Sequence, residues 1–270
     1  MDDILFILAQ WAYLLVAVTG LLGESDRPKF LSQFSVPCLY IGAVLHGAGL
    51  LVMAQETGGI PVHTPGASMA TLGFSLVLGH LVIRRGPRMD VLSQVIMPMV
   101  VVLLALAQVL PNALRPSPMP VGSLSPVWIW LHIGMIFLGL GLLTLSYFVS
   151  LAYLALRRRL KQKRLEGLGR FPDLETLDRT NARLLLFGFA ALSNGIALGG
   201  VWWAANPDSS SLDATAFATI GAWLWYAIAI QVRVVGGWRG KFASVISVIG
   251  FSGLLIALVI ANFSFSGWHQ

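Results

Sequence analysis

Eight apolar stretches run along this chain, at roughly 4–22, 34–54, 68–83, 91–110, 127–156, 183–204, 214–235 and 242–263. Each approaches or exceeds the roughly 20 residues with which a helix crosses a bilayer's hydrocarbon core. The lysines and arginines fall in every second loop between them. Arg27 and Lys29 come first, then Arg84, Arg85 and Arg88, the run from Arg157 to Arg183, and finally Arg233, Arg239 and Lys241. That places 17 of the 18 on one side, with Arg115 alone on the other. By the positive-inside rule the basic loops are cytoplasmic and both termini lie outside. The stretches are too long and too uniformly apolar for barrel strands, so they are helices, which satisfy their own backbone groups in lipid. The fold class that follows is an all-α integral membrane protein. It is a polytopic bundle of about eight transmembrane helices forming one domain over 1–270.

The remaining composition narrows the function. With 56% hydrophobic and 11% charged residues, the chain leaves no room for a separate soluble domain. Its +6 net charge sits in the inner loops, where anionic headgroups attract it, so its partner is the lipid bilayer and not nucleic acid. Cys38 is the only cysteine, which rules out a disulfide or a cysteine-built metal site within one chain. The first span follows Met1, Asp2 and Asp3, without the basic start of a cleavable signal peptide, and is read as a retained helix. No charged cluster interrupts a span, which argues against a proton pump. A transporter would need polar groups meeting near the midplane; only His46, Gln94, Gln108, Asn194 and Gln231 offer any, with no ion pair among them.

The titratable chemistry rests on histidines. His132 stands near the outer end of the fifth span, His269 follows the eighth, and His63 lies in the first outer loop. His46 is within the second span and His80 near the inner end of the third. Two facing imidazoles make a six-coordinate haem site, and Trp128, Trp130, Trp202, Trp203 and Trp268 crowd the same outer face. The plain alternative stays open at this point: tryptophan is enriched at membrane interfaces without any ligand, and a loop histidine is ordinarily solvated. His80, beside Arg84 and Arg85, reads as an inner-interface residue. His46 is singled out because an ionisable group inside a span points to function.

From Trp128 onward the chain resembles the cytochrome c assembly proteins of the CcsA, ResC and CcmC type, and in size the short HemX-like and YpjD-like members. The matching segments begin with Trp130-Leu131-His132-Ile133 and the aromatic and basic stretch from Ser146-Tyr147-Phe148 to Arg164. Phe171-Pro172-Asp173-Leu174-Glu175-Thr176-Leu177-Asp178 and Gly199-Gly200-Val201-Trp202-Trp203-Ala204 follow. The match closes with Gly237-Trp238-Arg239-Gly240, Ala261-Asn262-Phe263 and Gly267-Trp268-His269. The resemblance covers about half the chain well, and the first half mainly through topology and His46.

That resemblance implies haem bound non-covalently and transiently, as b-type haem, at the outer face. His132 and His269 would be its axial ligands, with Trp202, Trp203 and Trp268 against the porphyrin. His46 would serve haem passage or retention. Two positions depart from the family pattern. Gln231 replaces a second intramembrane histidine, and an amide can hydrogen-bond a propionate but is a poor iron ligand. The outer tryptophan-rich loop is reduced to 206–213, where Asp213 keeps the aspartate but its tryptophan and proline neighbours are gone. The implied function is haem handling in cytochrome c maturation: a binding and delivery subunit, not a self-sufficient enzyme, in the cell membrane with its site on the extracytoplasmic side. Its implied partners are haem, apocytochrome c and a second assembly subunit. The alternative is a non-catalytic scaffold or regulator that retains the fold without haem.

Overall fold

In a computed structural model, which describes residues 2–21, 29–57, 62, 64–110, 126–163, 171–205 and 214–266, the apolar stretches are helices. They are α1 (Asp2–Leu21), α2 (Lys29–Thr57), α3 (Pro65–Ile83), α4 (Ser93–Val109), α5 (Pro126–Lys161), α6 (Leu174–Ala205), α7 (Ala214–Val234) and α8 (Lys241–Ser266). A single 3₁₀ turn, Met89–Leu92, leads into α4. Among the described residues there is no strand, and seven helices are long and apolar enough to cross a membrane; α8 joins them by its length of 26 residues. The fold is therefore an all-α polytopic membrane protein. Large apolar side chains cover its outside, Val44 being 71% and Phe187 67% exposed. Such a surface suits hydrocarbon and not water.

The apolar stretches underestimate two helices, for local reasons. Helix α6 starts at Leu174 because Asp173 caps it: Asp173 Oδ1 accepts the Thr176 backbone N–H at 2.6 Å and Oδ2 accepts its hydroxyl at 2.9 Å. Those two bonds hold the Asp173 carboxyl below the usual carboxylate range. Glu175 then pairs with Arg179 at 2.5 Å, a one-turn spacing that supports a helix in water. Helix α5 runs on past its apolar part, ending with Arg158, Arg159 and Lys161 at its negative dipole end, as the sequence suggested. The Arg159 guanidinium lies 5.5 Å from the centre of the Phe171 ring.

The chain divides into two units, Met1–Met119 and Pro120–Gln270. In the first, α1 packs on α2 and α4, and α3 on α4. Glycines on α2 make room for rings: a Cβ at Gly42 would sit 2.7 Å from the Tyr13 ring, and one at Gly49 would sit 2.8 Å from Phe6. In the second unit α5 and α6 form an antiparallel hairpin that α7 and α8 complete. Leu143, Leu185, Leu192 and Tyr226 are its buried centre.

Helices α5 and α6 approach closely because a Cβ at Gly139 would meet the α6 backbone at 2.9 Å and one at Gly195 would meet Ile136 at 2.7 Å. Gly134 and Gly200, on the same two helices, have nothing within 4 Å of a built Cβ. Their sequence spacing marks a glycine-rich helix but not which side of it is packed.

At the basic end of the second unit, three elements are joined through one carboxylate. Arg233 of α7 donates to Asp178 Oδ2 of α6 at 2.8 Å and to the Asp178 carbonyl at 3.1 Å. The Gly240 N–H, at the start of α8, donates to Asp178 Oδ1 at 2.9 Å. Gly240 has φ +63°, and a Cβ there would lie 2.5 Å from the Tyr153 hydroxyl. Although Arg179 and Arg183 are nearer in sequence, the partner of Asp178 is Arg233.

Replacing Asp178 by Ala should destabilise the protein by about 2 kcal/mol, since it strands a largely buried guanidinium, while Glu175→Ala, in an exposed pair, should cost well under 1 kcal/mol. Thermal unfolding in detergent compares them, and equal shifts would refute the ranking. For Asp173, a folded-state pKa below the ordinary value near 3.8 means its stabilisation is complete above that pH and is lost as pH falls below it. Asp173→Asn should therefore lower stability at neutral pH, where the carboxylate contributes in full, and flatten the acid limb of the stability–pH curve.

Candidate functional site

His132 lies two turns into α5, on the face that meets the glycines of α6. Its Nδ1 is 2.7 Å from the Gly195 carbonyl. A carbonyl only accepts, so Nδ1 carries the proton and donates, which leaves Nε2 as the nitrogen with a lone pair. Gly199 sets the ring's position from one turn further on. A Cβ there would come within 2.7 Å of His132 Cε1 and 2.9 Å of Nδ1, so no larger residue fits beside this ring pose. The ring is half-buried. A histidine whose Nδ1–H is held by a backbone carbonyl and whose Nε2 is left basic is arranged as metal-bound histidines are.

Aromatic side chains gather at the same end of the hairpin. Trp128 and Trp130 stand one turn or less before His132, and Trp202 and Trp203 close the last turn of α6. Trp130 and Trp203 are 41% and 47% exposed, which leaves ring area for a flat apolar partner. Deeper in the hairpin, Trp223 of α7 stacks on Phe189 at 5.7 Å and donates its indole N–H to Ser193 at 2.8 Å, so it belongs to the packing. Asp213, Trp268, His269 and His63 lie outside the described residues.

His46 has a different setting, in the first unit. It is fully buried, edged by Phe6, Tyr13 and Phe74 with ring centres 5.2 to 5.9 Å away. Nε2 donates to the Ala70 carbonyl at 3.0 Å, and Nδ1 faces the Tyr13 hydroxyl at 3.5 Å. Both ring nitrogens are thus engaged, and an iron ligand would have to give one of these up. His80, read as an interface residue, is also fully buried, with Nε2 2.8 Å from Ser93 Oγ. Gln231 is exposed on the surface of α7. Among the described residues no three His, Cys, Asp or Glu side chains converge on a common point. The sequence gives no sign of the Gly195 carbonyl or of Tyr13 as histidine partners, because one is backbone and the other sits 33 residues from His46.

A haem needs an axial nitrogen with a free lone pair and a flat apolar neighbour. His132 Nε2 and the surrounding tryptophans meet both needs; His46 in its present hydrogen bonds does not. Comparison with known proteins shows the family and the fold. Residues 62–269 match the model of the family described as cytochrome C assembly protein. The cytochrome c biogenesis protein CcsA of Prochlorococcus marinus strain MIT 9301 is 25% identical over 291 residues, covering 96% of this chain and 90% of the relative. That of strain AS9601 is 26% identical over 290 residues, with the same coverage. The solved structure of the cytochrome c heme lyase CcmF superposes on 99% of this chain with a TM-score of 0.65 at 16% identity, which shows a shared fold. The chain spans about half of that lyase, 48% of its length. Helices α3 to α8, the Asp178-bearing motif and the His132 hairpin fall in the matched region, which is most of the chain: the chain belongs to the cytochrome c assembly protein family.

Proposed function

We propose that this protein handles haem in cytochrome c maturation, binding it at the outer face and presenting it for attachment to apocytochrome c. The observation that carries this reading is the 2.7 Å bond from His132 Nδ1–H to the Gly195 carbonyl, which leaves Nε2 free to ligate. His132 and His269 are the axial pair, with Trp202, Trp203, Trp268 and Asp213 as further haem-binding residues. The haem is b-type, held non-covalently and transiently, and is cargo. The chain's own work is to orient the iron ligand, shield one porphyrin face and exclude competing ligands. His46 serves haem passage or retention once its ring leaves the Ala70 carbonyl.

On this reading 1–270 acts as a single domain in the cell membrane, with both termini and the haem site on the extracytoplasmic side. A second assembly subunit and apocytochrome c meet it there. A second reading, a scaffold or regulator of assembly without haem, is favoured by the engaged nitrogens of His46 and the exposed position of Gln231.

A reduced-minus-oxidised visible spectrum of the detergent-purified protein separates the two. The parent should show sharp reduced-state bands that disappear in a His132→Ala/His269→Ala double variant. A parent that stays colourless after haem supplementation would leave the scaffold reading. Gly199→Leu should lower haem occupancy about tenfold or more, because the added side chain displaces the His132 ring; unchanged occupancy would mean that Gly199 does not set the ligand.

A further inference from the structure

In the second unit α5, α6 and α8 each send a polar stripe into the same interior, one turn inside the Asp178 latch, and α7 adds Arg233 and Tyr226. On α5 the stripe is Ser146, Ser150 and Tyr153; on α6 it continues from Asp178 to Asn181; on α8 it is Ser244 and Ser247. Direct contacts align them. Ser146 donates its hydroxyl to Asn181 Oδ1 at 2.5 Å, Asp178 accepts from Gly240, and Gly240 abuts the Tyr153 hydroxyl. Ser150 lies between those contacts on α5, while Asn181 and Ser244 each follow the latch by about one turn.

Several of these groups lack a partner within the protein. Ser150 Oγ, Asn181 Nδ2, Ser244 Oγ, Arg233 Nη1 and the Tyr226 hydroxyl are all buried without a hydrogen bond. Leaving five such groups dry in a membrane interior would cost several kcal/mol. The Ser146–Asn181, Arg233–Asp178 and Gly240–Asp178 contacts tie the helices that carry the first four together near the latch, and Tyr226 packs deeper, beside Leu143, Leu185 and Leu192.

We infer that this interior is a binding site for a small cluster of water, an inlet entered from the basic end between α5, α6, α7 and α8. The guest is neutral because the walls carry no unbalanced charge: Arg233 is already paired with Asp178. Hydroxyls both donate and accept, so waters can bridge Ser150 and Ser244 while accepting hydrogen bonds from Asn181 Nδ2 and Arg233 Nη1. The inference concerns the basic end of the unit and does not rest on haem binding.

Hydroxyl-radical labelling by pulsed radiolysis tests it on the full chain in nanodiscs, read by mass spectrometry. Radicals form from water, so a buried ring beside held water is oxidised and a dry one is spared. Tyr226 and Tyr13 are equally buried, at 1% and 0% exposure. Tyr226 should be oxidised about tenfold faster than Tyr13, as a ring next to structural water. The Ser150→Ala/Ser244→Ala double variant should lose most of that difference. Excess acetate should change nothing. Labelling of Tyr226 at the rate of Tyr13 in the parent would overturn the site, with no variant needed. Protection of Tyr226 by acetate would overturn the neutral guest in favour of an anion.

Discussion

The close approach of α5 to α6 is the contact on which the second unit and its site both depend. Hydrocarbon supplies no hydrophobic drive between helices, so their association rests on van der Waals packing and on backbones that come near each other. Gly139, Gly188 and Gly195 allow this along the hairpin, and Gly199 extends it to the level of His132. One consequence is chemical. Only when the two backbones are this near can a side chain on α5 reach a carbonyl on α6, and that carbonyl selects the tautomer of His132. Helix packing and the choice of tautomer are therefore the same contact seen from two sides.

Polar groups inside the protein follow a consistent division. In the first unit, His46 and His80 have each found a partner on a neighbouring helix, and aromatic edges seal His46 from its surroundings. Gln10 and Gln108 pair across α1 and α4 at 2.7 Å. In the second unit one carboxylate, Asp178, collects a guanidinium and a backbone N–H from elements far apart in sequence. Groups that are expensive to bury appear mostly where they hold helices in register. The family motifs around Asp178 and Gly240 acquire a physical meaning from this: each supplies half of one junction.

Much of the architecture was legible from hydropathy alone, since a bilayer imposes span length and the loop charges impose order. The helical start of α6 was not, because a capped, charged first turn looks like a loop when only apolar residues are counted. The pairing of Asp178 with Arg233 was hidden by 55 intervening residues and by nearer basic candidates. At the site, sequence could name His132 and the tryptophans but not the Gly195 carbonyl, which every residue type would provide. His46 was singled out for being ionisable within a span, a criterion that cannot see whether the ring already has partners.

The length of α5 carries a geometric consequence. From His132 to Arg157 is 25 residues of one continuous helix, about 37 Å at 1.5 Å per residue, against a hydrocarbon core of about 30 Å. With the arginine run held among headgroups on one surface, the imidazole is carried to the polar layer of the other. Helix α5 thus works as a ruler, setting the depth of the His132 ring from charges a full membrane away. One residue inserted between them would also turn that ring about 100° around the helix axis, off its carbonyl and towards lipid.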